Sequence, residues 1–361
     1  HVMKQTQAQF PKGIDAYGTD ALRFTFCALA STSRDINFDL NRTLGYRNFC
    51  NKLWNASRYV LMQVEQNQNL LNLSAHSSHP MDLWIEQSLN QCIHRCHQAI
   101  SSYRFDHLAH ELYSFVWNTF CDWYLELSKV TLTDDDTAVR AGTLTTLLRV
   151  LERILRLLHP VIPFITEAIW QQLKPVMQLP SESIMLCEYP KYDDTNLDAQ
   201  LAHDMDQVQE IITQLRTLKA QMNIAPGKKM DVMVLNTSSD DSRLNLIDQH
   251  QAVIIRLAKL GNLCTITANE KPSQTATCLA GPFELHVPMA GLIDLDAEKK
   301  RIQMDKDKIL AEIKRLEGKL SNPNFSAKAP EAVVQKERAK LKEAQSSLSQ
   351  LDEQLAKLHK A

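Results

Sequence analysis

Apolar residues along the first half of this chain recur every three to four positions, the period of an amphipathic α-helix. In the segment from Leu40 to Val64 the stripe is Tyr46, Phe49, Leu53, Ala56, Val60 and Val64. A shorter helix over residues 20–30 is expected before it, followed by a polar Ser-Thr-Ser-Arg-Asp turn. After a mostly polar loop at 66–80, a helix is predicted over 81–102, with Ile85, Leu89, Cys92, Cys96 and Ile100 in phase. Another is predicted over 105–130, carrying Leu108, Leu112, Phe115, Val116, Thr119, Phe120 and Trp123. Leu144, Leu147, Leu148, Leu151, Leu155 and Leu158 mark the next, which His159-Pro160 stops. Pro163 then opens a helix expected to end around Gln172. Long helices joined by mostly short connections predict antiparallel neighbours in a bundle.

Beyond Pro180 the pattern changes. A helix over 198–222 leads into Asn223-Ile224-Ala225-Pro226-Gly227, a turn signal. Residues 230–235 alternate like a strand, and 263–267 and 283–287 are short runs rich in β-formers. With a helix over 243–260 between them, they predict a small α/β unit. The tail returns to helix with a seven-residue repeat: Leu295, Ile302, Ile309 and Leu316, joined by Ile313 and Leu320. Val334, Leu341, Leu348 and Leu355 repeat it in a second arm, with Ala344, Leu351 and Leu358 between. The break from Asn322 to Pro330 separates two arms of about 26 residues, each reaching roughly 39 Å at 1.5 Å per residue. Two heptad arms and a short break predict an antiparallel coiled-coil hairpin. The fold class is therefore mainly α, divided as a connecting segment with a short helix (1–40), a helical bundle (41–190), a small α/β domain (191–294) and a coiled-coil arm (295–361).

Charge separates these parts. The arm holds 15 Lys and Arg against 11 Asp and Glu, a net +4, and the other residues hold 25 against 31, a net -6. A basic rod joined to an acidic body concentrates positive potential where a nucleic-acid backbone can lie. A coiled coil that only dimerises or binds another protein, making the chain a helical scaffold, is the competing reading. Glycine is scarce, at 9 of 361 residues, and no GxGxxG or GxxxxGK[ST] loop occurs, so no nucleotide site is expected here. The eight cysteines are scattered through apparent core stripes, as expected of reduced thiols in the cytoplasm. Cys92, His94, Cys96 and His97 cluster without the second ligand pair of a zinc knuckle, so no metal is expected. No apolar run of about 18 residues predicts a membrane span.

The opposite face of the 40–64 segment carries the candidate chemistry. The segment as a whole holds Arg42, Arg47, Lys52 and Arg58 without one acidic residue, alternating with Tyr46, Phe49, Trp54 and Tyr59 and with Asn41, Asn48, Asn51 and Asn55. At about 100° per residue, Asn48, Asn51, Lys52, Asn55 and Tyr59 lie across the helix from the apolar stripe, and Arg47, Trp54 and Arg58 make a row beside them. Cations hold phosphate, rings stack on bases and carboxamides read base edges, so unpaired RNA is the first partner indicated. A solvated helix face with a few charges is the plainer alternative.

Several motifs carry a resemblance. They are Gly18-Thr19-Asp20-Ala21-Leu22-Arg23-Phe24, Arg47-Asn48-Phe49-Cys50-Asn51-Lys52-Leu53-Trp54-Asn55-Ala56, Phe120-Cys121-Asp122-Trp123-Tyr124-Leu125-Glu126 and His159-Pro160-Val161-Ile162-Pro163-Phe164-Ile165-Thr166-Glu167. Met222-Asn223-Ile224-Ala225-Pro226-Gly227-Lys228 and Lys328-Ala329-Pro330-Glu331-Ala332-Val333-Val334 complete them. In this order the chain resembles the C-terminal part of bacterial-type valyl-tRNA synthetases, class I aminoacyl-tRNA synthetases. The bundle motifs alone also suit isoleucyl and leucyl relatives, and the coiled-coil ending with its Asn-Pro-Asn-Phe and Lys-Ala-Pro-Glu turn points to the valyl family. The resemblance implies an anticodon-binding bundle, a linking domain and a tRNA-clasping arm, in a monomer. It implies valine tRNA as partner, and an intact parent that joins valine to tRNA using ATP. The family's His-Ile-Gly-His and Lys-Met-Ser-Lys-Ser elements are absent, so the chain is expected to begin after the catalytic core and to be non-catalytic. ATP and magnesium then belong to the missing part, and no cofactor is expected in this chain. Carried over by residue, Lys52 and Arg58 contact the anticodon loop and Tyr59 stacks on a base. A further arginine position falls on Asn41, with Arg42 one place along. In the arm, which leans on the outer corner of the tRNA, Lys314, Arg315, Lys319 and Lys328 are the candidates.

Overall fold

A computed structural model describes residues 2–11, 13–32, 35–36, 38–194, 197–225, 227–238, 240, 243–272, 275–288 and 295–321. In the second arm it describes residues 335, 337, 338, 340–342, 344, 345, 348 and 352. The chain divides into two compact units, His1–Gln209 with Gln249–Leu257, and Glu210–Asp248 with Ala258–Ala361.

The first unit is helical. It contains α1 (Val2–Gln9), α2 (Thr19–Leu29), α3 (Leu40–Gln66), α4 (Pro80–Ser101), α5 (Phe105–Ser114), α6 (Leu125–Thr131), α7 (Thr137–Leu158) and α8 (Pro163–Met177), and α9 (Ala199–Gln221) starts in it. Asp39 caps α3, its carboxylate accepting from the Asn41 backbone N–H at 2.9 Å. The predicted stripe of α3 faces the core: Phe49, Leu53, Ala56, Val60 and Val64 are buried. Phe24 of α2 is fully buried, stacked on Tyr46 at 4.5 Å and tilted against Phe49 at 5.0 Å. α2 is thereby part of the bundle core.

Two of the quoted motifs meet in space. The Asp20 carboxylate accepts from the backbone N–H groups of Phe164 (3.3 Å) and Ile165 (2.7 Å), capping α8 from a helix 144 positions away in sequence. Arg23 donates to the carbonyls of Val161 (2.9 Å) and Pro160 (3.0 Å), filling acceptors of the turn before α8. α8 runs past the expected stop at Gln172 to Met177. Pro175 falls within its last turn, and Gln178 ends it in the left-handed region at φ 54°.

The helix expected over 105–130 is present but not uniformly α. Between α5 and α6, Phe115–Tyr124 is π-helical, with bonds reaching one residue further along the chain. Its buried residues are Phe115, Val116, Phe120, Cys121 and Tyr124, spaced by four and five. A 3.6-residue reading put Thr119 and Trp123 in that stripe. Both are only half-buried, and Cys121 and Tyr124 take the inward positions. The wider turn delivers the Tyr124 hydroxyl to Asp82, a buried carboxylate of α4, at 2.6 Å. Ser77 and Thr143 also donate to Asp82, each at 2.7 Å, so the buried charge is held by three hydroxyls from three segments. Gly142 permits this convergence, because a Cβ there would lie 3.0 Å from the Ser77 Cβ and 3.1 Å from its Cα.

In the second unit a four-stranded sheet has the order β2-β1-β4-β3. The strands are β1 (Met230–Asn236), β2 (Leu260–Ile266), β3 (Thr275–Ala280) and β4 (Phe283–Pro288), with α10 (Arg243–Ala258) between β1 and β2 in the chain. β1 and β2 pair in parallel, and the other two pairings are antiparallel. The pattern missed β3, an edge strand of mostly small residues, Thr-Ala-Thr-Cys-Leu-Ala, which turns into β4 at Gly281 (φ 51°). β2 also begins earlier than expected, at Leu260. α11 (Leu295–Ser321) forms the first arm, with Ile313 and Leu316 buried along the predicted seam. Lys306 pairs with Asp352 at 2.6 Å and Lys319 with Glu337 at 3.3 Å. As the first partner advances along the chain the second retreats, an antiparallel sense. Lys328 and the break at 322–330 lie outside the described residues, as do Val334, Leu351, Leu355 and Leu358.

Candidate nucleic-acid interface

Opposite its buried stripe, α3 presents two polar rows. Arg47, Asn51, Trp54 and Arg58, spaced by four, three and four, run along one line, and all four are exposed. Asn41, Asn48, Lys52, Asn55 and Tyr59 form the second. Its three asparagines are exposed, as is Arg42 at the start of the helix, whereas Lys52 and Tyr59 are half-buried. Seven of the nine candidates on α3 are therefore open to solvent.

Lys52 is engaged within the bundle. Its ammonium lies 2.6 Å from the Asp122 carboxylate and 3.8 Å from the centre of the Trp117 ring. Trp117 in turn stacks on Tyr113 (5.4 Å, 8° between planes), and Tyr113 stacks on Phe49 at 5.2 Å. An aromatic ladder thus runs from the bundle core out to the cation. Tyr113, Trp117 and Asp122 were missed by sequence reasoning. Trp117 and Asp122 are five residues apart, about 140° around an α-helix, and only the π winding brings both to Lys52. Tyr59 leans toward α6, with the Lys129 ammonium 5.6 Å from its ring centre. Burial holds the Tyr59 phenol above its usual pKa, with a Ser128 hydrogen bond acting the other way. The ring therefore stays neutral, as a stacking surface requires.

Arg47 and Asn51 also border an open cleft of about 340 Å³ with Gly18, Thr19 and Phe164. Arg42 borders another, of about 390 Å³, with Tyr46, His110 and Tyr113. Burial drives the thiols near α3 upward, Cys50 and Cys121 each to about 12, so neither is a nucleophile near neutrality. In α4 the Cys92 and Cys96 sulfurs sit 4.0 Å apart and buried. His94 pairs with Gln98 and His97 meets the Pro190 carbonyl. Among the described residues, no group of three or more His, Cys, Asp or Glu is placed to hold a metal ion. In the arm, Lys314, Arg315 and Lys319 are exposed; Arg315 lies 3.5 Å from Glu312, and Lys319 is engaged with Glu337.

Residues 82–234 match the family described as the anticodon-binding domain of tRNA ligase, and residues 294–359 match the valyl tRNA synthetase tRNA binding arm. The chain belongs to the valyl-tRNA synthetase family. It is similar to the valine–tRNA ligase of Legionella pneumophila (strain Lens), with 42% identity over 346 residues. That alignment covers 95% of this chain and 37% of the relative, so the chain spans little more than a third of that synthetase's length. The anticodon-domain match begins within α4, so α3 precedes it in sequence while packing in the same unit as α4.

Proposed function

We propose that this chain is the tRNA-binding region of a valine–tRNA ligase, with the exposed rows of α3 meeting the anticodon stem-loop of valine tRNA. The observation that carries the reading is a helix locked into the core on one side and lined on the other by Arg47, Asn51, Trp54 and Arg58, all exposed. A rigid backing lowers the entropy lost when such side chains engage unpaired nucleotides. The arm, read as a coiled-coil hairpin, adds a second basic contact with the tRNA elbow through Lys314, Arg315, Lys319 and Lys328. Attachment of valine to tRNA is then the activity of the whole synthetase, with ATP and magnesium acting outside these 361 residues. No catalytic role is assigned to any residue here. The proposal includes a monomer acting in the cytoplasm. Among the described residues, no helix is long and apolar enough to cross a membrane.

Filter binding with valine tRNA tests it. Arg58→Ala is expected to weaken binding and to flatten the dependence of log K on log salt by about 0.7–0.9, the value of one phosphate contact. Unchanged affinity and slope would remove α3 from the interface.

A further inference from the structure

The Lys52–Asp122–Trp117 arrangement is an unusual way to present an RNA-binding cation. The ammonium is half-buried, its charge is taken by a carboxylate 2.6 Å away, and it lies over the Trp117 indole, a flat aromatic face of the kind on which bases stack. Asp122 is half-exposed, with 51% of its side-chain surface open. Its placement beside Lys52 comes from a π-helical turn that costs regular hydrogen-bond geometry. A phosphate approaching Lys52 must displace a carboxylate, and any movement of the ammonium toward that phosphate uncovers the Trp117 ring.

Building on the reading of α3 as an RNA-binding helix, we infer that Asp122 gates this face. It latches Lys52 over Trp117, and an unpaired nucleotide binds by drawing the ammonium onto its phosphate while its base stacks on the uncovered indole. A paired strand can take the phosphate step but has no free base face to offer Trp117, so opening the latch is better compensated by a loop than by a duplex. Asp122 is a positioning residue, acting through Lys52, and Trp117 is a base platform in addition to Tyr59.

The test measures binding of an RNA stem-loop and of a blunt RNA duplex of equal length, as a function of salt, to the full chain. Asp122→Asn is expected to tighten stem-loop binding about 1.5- to fivefold, the range of an exposed ion pair. It should also steepen the salt slope by about 0.7, because the carboxylate no longer gathers a cation when Lys52 leaves it. In a Lys52→Met background the same substitution should have no effect on affinity, whereas relief of general charge repulsion would persist there. Trp117→Leu should weaken stem-loop binding about fivefold or more and leave the duplex unchanged, with Trp117→Phe recovering most of the loss. Far-UV circular dichroism of each variant checks that the bundle is intact. A gain from Asp122→Asn that survives Lys52→Met, or no gain with wild-type binding intact, overturns the gate alone. Failure of the wild-type chain to bind the stem-loop overturns the gate and the RNA-binding reading together.

Discussion

Asp20 shows how far apart in sequence the residues that frame the interface stand. Its carboxylate fills the orphan N–H groups at the start of α8, beside the cleft that Arg47 and Asn51 border. Asp20→Ala is expected to lower unfolding stability by about 1–2 kcal/mol in urea titration, the range of a lost helix cap. An unchanged midpoint would mean that water satisfies the helix end equally well. His250, in the stretch of α10 assigned to the first unit, gives a pH dependence. Burial, followed by repulsion from His79, holds its imidazole below the ordinary 6.5. As pH falls through 6.5, the unfolded chain takes up a proton before the folded one, so this contribution is full on the alkaline side and lost on the acidic side. The thermal midpoint should fall from mildly alkaline to mildly acidic buffer, and less steeply in His250→Leu. At this scale the sequence named Lys52 and Arg58 as cations and Tyr59 as a ring. It did not supply their partners, because Asp122, Trp117 and Lys129 reach α3 only through tertiary packing.

Among the elements, α3 was legible because a long apolar stripe at a steady period leaves one phase for burial, and the exposed rows follow by exclusion. The run from α5 to α6 was legible as a helix but not in phase. Composition did not announce a π segment, and the 3.6 period misassigned Thr119 and Trp123. Tyr124→Phe tests the corrected phase. It removes one of three hydroxyl donors to the buried Asp82 and is expected to cost about 1.5–3 kcal/mol, measured by chemical denaturation. A neutral outcome would contradict the inward placement that the π winding gives Tyr124. β3 escaped notice for another reason: Thr, Ala and Cys at a sheet edge carry too little apolar alternation to register as a strand, and only pairing with β4 defines it.

For the whole molecule, charge and motif order carried more than any single residue. An acidic body of net -6 and an arm of net +4 are a sequence-level property; one family match runs from α4 along the chain into β1, and the other covers the arm. The arm's individual RNA contacts were not legible, because its basic residues alternate with acids and some, such as Lys319, are already engaged with them. On the proposed reading, the bundle reads the anticodon and the basic arm adds a backbone contact that carries no sequence information. The central claim is therefore tested by comparing binding of valine tRNA with that of the same tRNA altered only in its anticodon, at one salt concentration. Weaker binding of the altered tRNA, with the difference abolished by Arg58→Ala, is the predicted result. Equal affinity for both tRNAs would contradict the account.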